Sequence, residues 1–219
     1  MKKTFLSAAL AFVAAASALH ADPVNWDDYA RSFEITFPGY TSTATLTDFP
    51  VLIRLSAARN AFDYSKCPNG ASLRFSDEDG NLLPCEIDTW DPEGESLVWV
   101  KVTALNADTI ITAHYGNANP VEMDSTQVWS NGYLGVWHLN EVASPLEDST
   151  GGGKNWTRSA DHEAMVNLGG AGVLGNAVAF DKVTEGDNAH KGSLSFTDNS
   201  KQKPCGRYRK PQHPPCRTD

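Results

Sequence analysis

From Arg31 onward, apolar side chains recur at every second position, and this period-two alternation restricts most of the chain to half-buried strands. Phe33, Ile35 and Phe37 share one face, with Glu34 and Thr36 on the other. Phe49, Val51, Ile53 and Leu55 repeat the pattern, as do Leu73 and Phe75. Turn-forming residues separate the runs: Pro38-Gly39, Pro68-Asn69-Gly70, Asp79-Gly80-Asn81 and Pro92-Glu93-Gly94. A further strand, Thr109 to Tyr115, ends at Gly116-Asn117. Short strands punctuated this regularly predict an all-β fold, an antiparallel β-sandwich. There is no internal repeat of fixed period and no long amphipathic helix.

The segment Leu83 to Thr103 permits a finer reading. If Trp90 faces Leu97 across a hairpin, Asp88 faces Trp99 and Glu86 faces Lys101. Cys85, Ile87 and Thr89 then oppose Val102, Val100 and Val98 on the other face. A slip of one residue would set charges against the valine row, so burial selects this pairing. One face is then core, and the other carries Glu86, Asp88 and Lys101 beside an apolar patch of Trp90, Leu97 and Trp99.

The N-terminus points to export. Lys2 and Lys3 precede an apolar run from Phe5 to Ala18 of about 14 residues, against the roughly 20 that a membrane-spanning helix needs. Small residues follow, and residues 1–21 read as a signal peptide cleaved after Ala21. No later segment approaches membrane-spanning length, so the mature chain is expected to be secreted or held at the cell envelope. The formal charge of −9 argues against a nucleic-acid partner, which needs a basic footprint. Export permits a disulfide, and Cys67–Cys85 would close a loop of about 18 residues, a gain of roughly 3 kcal/mol by loop entropy. Spacing alone leaves that bridge and a pair of unpaired structural cysteines equally open.

The ordered set Asn25-Trp26, Phe49 to Leu55, Leu73-Arg74-Phe75, Glu86 to Trp90, Val98 to Val102 and Tyr115-Gly116-Asn117 resembles a bacterial surface-module family, domain of unknown function 2341. The resemblance covers about residues 25–120 and implies an extracytoplasmic β-sandwich in larger modular proteins, with no established activity. A module over residues 22–120 is therefore expected, followed by a linker over 121–132, where the alternation lapses. Val136-Trp137-His138-Leu139-Asn140-Glu141, Asp148-Ser149-Thr150-Gly151 and Gly175 to Asp181 resemble the opening strands of a concanavalin A-like, laminin-G-type jelly roll. That likeness predicts an incomplete jelly roll over 133–197, its first strand starting at Tyr133. Residues 198–219 form a tail of different composition, and its stretch 201–219 holds Lys201, Lys203, Arg207, Arg209, Lys210 and Arg217 against a single Asp219. The abruptness favours an aberrant, out-of-frame tail over a genuine basic segment that contacts an anionic surface.

Catalytic constellations are weak. Laminarinase-like glycoside hydrolases carry two glutamates and an intervening aspartate along one strand, since one acid attacks the sugar and another protonates the leaving oxygen. Glu86 and Asp88 fit the first two places, but Trp90 occupies the third, and Asp91 beside it could serve only across a bulge. Asp77-Glu78-Asp79-Gly80-Asn81 has the oxygen ligands of a calcium loop but lacks the distant glutamate, and an Asp-Gly turn explains the same residues. Laminin-type modules often bind calcium, yet no ligands are assignable in the second region. Gly151-Gly152-Gly153-Lys154 is not a phosphate loop, because Asp148 and Asn155 stand where that motif needs glycine and Ser or Thr. His114, His138, His162 and His190 are about two dozen residues apart and form no metal pair. No enzyme activity, metal or cofactor is expected. The expected role is binding or adhesion, with polysaccharide or glycoprotein as the ligand class and Trp90, Trp99, Glu86 and Asp88 as the binding residues. The alternative is a structural spacer, and third is a hydrolase remnant. An exposed Trp90/Trp99 face would favour binding, and a covered one the spacer.

Overall fold

The computed structural model describes residues 23–158, 165–180 and 194–196. The signal segment, the basic tail with Cys205 and Cys216, and His162 and His190 lie outside the described residues. The alternating runs form strands as the sequence predicts: β1 (Arg31–Thr36), β2 (Leu46–Leu55), β3 (Arg74–Ser76), β4 (Leu82–Leu83), β5 (Cys85–Thr89), β6 (Ser96–Leu105) and β7 (Ile110–Tyr115). They assemble into two antiparallel sheets, one ordered β1-β7-β3-β4 and the other β2-β6-β5. Phe33, Ile35, Phe75, Leu83, Ile111, Ala113 and Tyr115 of the first sheet form one cluster with Val51, Ile53, Leu55, Cys85, Val98, Val100 and Val102 of the second. The fold is thus the expected all-β sandwich. Phe62, Cys67 and Leu73, from the segment between β2 and β3, complete its core.

The β5–β6 hairpin departs from the expected register by two residues. Cys85 opposes Val100, Glu86 opposes Trp99 and Ile87 opposes Val98. A shift of two preserves the faces, so the valine row is still core and Glu86 and Trp99 still point outward. The ladder then shifts between Ile87 and Thr89, because Asp88 is an extra residue and Thr89 pairs with Leu97. A bulge of this kind reverses the alternation beyond it. Trp90 consequently turns inward, onto Phe62 and Tyr64 at ring distances of 5.8 and 5.3 Å, and its Nε1–H donates to Pro68 O. Trp90 and Trp99 therefore do not share a face, contrary to the expectation from strict alternation.

Cys67 and Cys85 are free thiols, both buried in the core, and are not joined. Cys67 Sγ accepts a hydrogen bond from Ser72 Oγ, and burial pushes the Cys85 thiol up to about 12. The Asp77–Asn81 turn takes up the carboxylate of Asp77 internally, on the amides of Asp79 and Asn81 and on the Asn81 side chain. Gly80, at φ +81°, supplies the left-handed residue that such a turn requires.

Beyond β7 the strands are short: β8 (Trp156–Arg158), β9 (Val166–Ala171), β10 (Asn176–Phe180) and β11 (Leu194–Phe196). They form two separate two-stranded pairs, β9–β10 and β8–β11. The strand expected at Tyr133 to Leu139 is absent: this stretch is irregular. Leu139 sits at φ +61°, which ends any extended run, and the Val136 amide bonds the Asp148 side chain instead of a neighbouring strand. The likeness to a concanavalin A-like jelly roll is not confirmed. No helix among the described residues is long and apolar enough to cross a membrane.

Candidate functional site

The outer face of the three-stranded sheet presents Leu97 and Trp99 from β6, with Glu86, Asp88 and, through the bulge, Thr89 from β5. Residues 125–140 cross this face and close it. Asp124 starts the segment by accepting from the Thr126 amide at 3.0 Å, which caps the single 3-10 turn Ser125–Trp129. Val128 and Trp129 are buried, and Trp129 lies 5.4 Å from Trp99 at 61°, an edge-to-face contact. Asn131 Nδ2 donates to Thr47 O, and Lys101 Nζ donates to Ser130 Oγ at 2.8 Å, which fastens the segment to β2 and β6.

At the centre of the contact, the His138 imidazole stands between the two carboxylates of β5. Its Nε2 lies 3.1 Å from Glu86 Oε2, and its Nδ1 lies 3.2 Å from Asp88 Oδ2. The Trp129 indole N–H also donates to Glu86 Oε2, and the Trp99 indole N–H donates to Asp88 Oδ2 at 3.1 Å. Asn140 Nδ2 donates to both the backbone and the side-chain oxygen of Asp88, at 2.7 and 2.8 Å. The side chains of His138, Glu86 and Asp88 are only 12%, 16% and 8% exposed. Burial alone would push the His138 pKa down, but the hydrogen bond to Glu86 and the charges of Glu86, Asp88 and Glu141 outweigh it and raise the pKa. Two ionised acceptors, one at each ring nitrogen, are satisfied only by an imidazolium, which carries a proton on both.

The sequence-predicted residues are therefore divided. Glu86, Asp88 and Trp99 meet at one site, and Trp90 is half-buried against the core on the other side of the sheet. Trp129, His138 and Asn140 complete the site and were not anticipated. Their signal was the spacing: His138 and Asn140 are two residues apart in a non-helical stretch, as are the acids Glu86 and Asp88 that they meet. Hydrolysis by paired carboxylates requires a sugar between the two acids, and here the His138 ring fills that gap. Because the carboxylates approach opposite nitrogens of one ring, the three groups do not converge on a point where a cation could sit. Among the described residues, no group of three or more potential ligands could hold a metal ion.

A smaller closure covers the outer face of the other sheet. Ser76 of β3 and His114 of β7 point outward, and Ser76 Oγ and His114 Nε2 are hydrogen-bonded at 3.0 Å. Trp26, from a 3-10 turn over Trp26–Asp28, stacks on His114 at 4.1 Å and donates its indole N–H to Gly80 O. Tyr29 packs edge-on against the same imidazole. No carboxylate takes part in this set of contacts. Burial pushes the His114 pKa down, so the ring is kept neutral.

The molecule is thus an antiparallel β-sandwich with an acidic outer face sealed by its own following segment. Residues 69–157 match the family model described as Domain of unknown function (DUF2341), the family that the sequence resembles. The match starts in the loop after Cys67 and ends within β8, and so includes both the β5 carboxylates and the segment that covers them. Comparison with curated proteins and with solved structures gives no match.

Proposed function

We propose that this chain is a non-catalytic structural module, a spacer in an exported modular protein. One observation carries the reading. The polar-aromatic face that could have received a ligand is occupied from within, since Glu86 and Asp88 are engaged by Trp129, His138, Trp99 and Asn140. A sugar would have to displace all four groups before its hydroxyls reached either carboxylate. The acid pair instead docks one part of the chain on another, as a load-transmitting spacer needs.

A second reading, binding of polysaccharide or glycoprotein, is supported at a different place. Phe49 and Tyr133 are 40% and 43% exposed and line a shallow groove of about 190 Å³ with Asp48 and Asn131. Asp48 holds φ +49°, and such strain in a non-glycine residue tends to collect at ligand sites. The two readings separate when the full chain is passed over insoluble polysaccharides and glycoproteins, with release of reducing ends measured in the same samples. The spacer reading expects neither retention nor new reducing ends. Retention that Tyr133→Ala abolishes would replace it with the binding reading, and new reducing ends lost in Glu86→Gln would make the β5 acids catalytic.

A further inference from the structure

We propose that residues 125–140 form a detachable cover, latched to β5 by His138, which opens at alkaline pH while the sandwich beneath it stays folded. The proposal stands on what crosses the interface. Val128 and Trp129 supply its apolar part, and its polar centre consists of one imidazole between two carboxylates. Among the described residues, four charged groups lie around that imidazole. Glu86 and Asp88 approach from β5, Glu141 acts from the cover's own strand of chain, and Lys101 of β6 is turned to Ser130. From the β9–β10 pair the contact is the uncharged Asn176, whose Nδ2 donates to Asn140 O at 3.0 Å.

Deprotonation changes the sign of one contact. A neutral imidazole keeps one N–H and gains one lone pair, so one nitrogen must then face a carboxylate oxygen acceptor against acceptor. The two largely buried carboxylates keep the indole and Asn140 donors but lose the cation between them, with Glu141 adding to the repulsion. The core does not share this dependence. Val98, Val100 and Phe75 face away from the cover and are held by apolar packing. The cover is therefore the part that gives way. Opening uncovers Trp99 and both acids, which makes that part of the face accessible only when His138 is neutral.

The direction follows from linkage. His138 has a folded pKa raised above its free value, so the latch is at full strength below about 6.5 and is lost as pH rises through the folded pKa. The test is amide hydrogen exchange on the full chain, from pH 6 to pH 9. Protection factors are used because they divide out the base catalysis of exchange itself. The amides of Gln127 and Ser130, both bonded within the cover's first turn, are compared with those of Val98 and Val100. Cover protection should fall by up to about tenfold per pH unit between the free and folded pKa of His138, with core protection unchanged. The midpoint should coincide with the titration of the His138 ring followed by NMR, and His138→Gln should leave the cover weakly protected and flat with pH. Cover and core losing protection together, a cover indifferent to pH, or a midpoint that differs from the ring titration would each overturn the proposal. The wild-type comparison of ring and amide stands even if the variant fails to fold.

Discussion

Each sheet of the sandwich is closed on its outer face by a tryptophan-bearing 3-10 turn set near a histidine, and the two closures differ in charge. Over the four-stranded sheet, Trp26 lies flat on a neutral His114 that shares a hydrogen bond with Ser76. Over the three-stranded sheet, Trp129 and Trp99 flank a His138 bound by Glu86 and Asp88. The same residue type is pushed in opposite directions by its neighbours. Desolvation acts on both rings, and on the second it is overcome by ionised acceptors. A covered aromatic face is thus a recurrent structural device here, and the presence of carboxylates decides whether it responds to pH.

The largest effect should come from breaking the charged closure. His138→Ala leaves Glu86 and Asp88 largely buried without their shared cation, and removing one partner of such a group costs about 3 kcal/mol. Urea unfolding of the variant measures it. The loss should shrink when His138→Ala is combined with Glu86→Gln and Asp88→Asn, since no unpaired charge then stays buried. If the triple variant is as unstable as the sum of its parts, His138 acts by packing alone and the contrast between the two closures fails.

Trp26→Ala is the matching change on the neutral side. Trp26 is half-buried and covers one imidazole, so a loss of about 2 kcal/mol is expected, below the range for fully buried aromatics. Its signature is a salt-independent loss, whereas the loss in His138→Ala should change with ionic strength. Ser76→Ala is smaller again, about 1 kcal/mol, because one neutral hydrogen bond to His114 is removed. The corresponding deletion opposite, Asn140→Ala, removes donors to a charged oxygen and should exceed it. Equal costs for Ser76→Ala and Asn140→Ala would mean that charge does not distinguish the two faces.

How much of this was legible depends on which interactions are periodic. Strands β1, β2, β6 and β7 follow from alternation because each buries one face against the opposite sheet. The outward placement of Glu86, Asp88 and Trp99 follows for the same reason. Trp90 was misplaced because a single extra residue at Asp88 inverts the alternation, and nothing in the local composition marks a bulge. The cover was illegible for a different reason. Residues 125–140 have no repeating pattern, and their fit depends on side chains that meet β5 across roughly fifty positions of sequence. Tyr133 to Leu139 has the composition of a strand, but Leu139 in the left-handed region and the Asp148 side chain take it out of any ladder. Cys67 and Cys85 illustrate the limit of spacing arguments, since loop length allowed a bridge and the two thiols are placed separately in the core.

The smallest expected effect concerns the acid side of the stability curve, and it tests the neutral closure alone. Burial depresses the His114 pKa, so above the free value near 6.5 its contribution is complete, and it is lost as pH falls toward the folded pKa. Among the described residues, Tyr29, Ser76 and Trp26 contact the ring, Ser32 lies opposite it on β1, and Arg74, opposite it on β3, is turned to the carbonyls of Val121, Ala71 and Leu73. None of them carries a negative charge that could stabilise an imidazolium. The loss is modest because the protonated ring can still donate to Ser76 Oγ, which leaves solvation as the main penalty. Urea unfolding between pH 7 and pH 5 should show this decline in the wild type and not in His114→Gln. The His138→Gln variant should keep the decline while losing the alkaline one. If His138→Gln also flattens the acid limb, the two histidines report on one cooperative unit, and the closures are not separable.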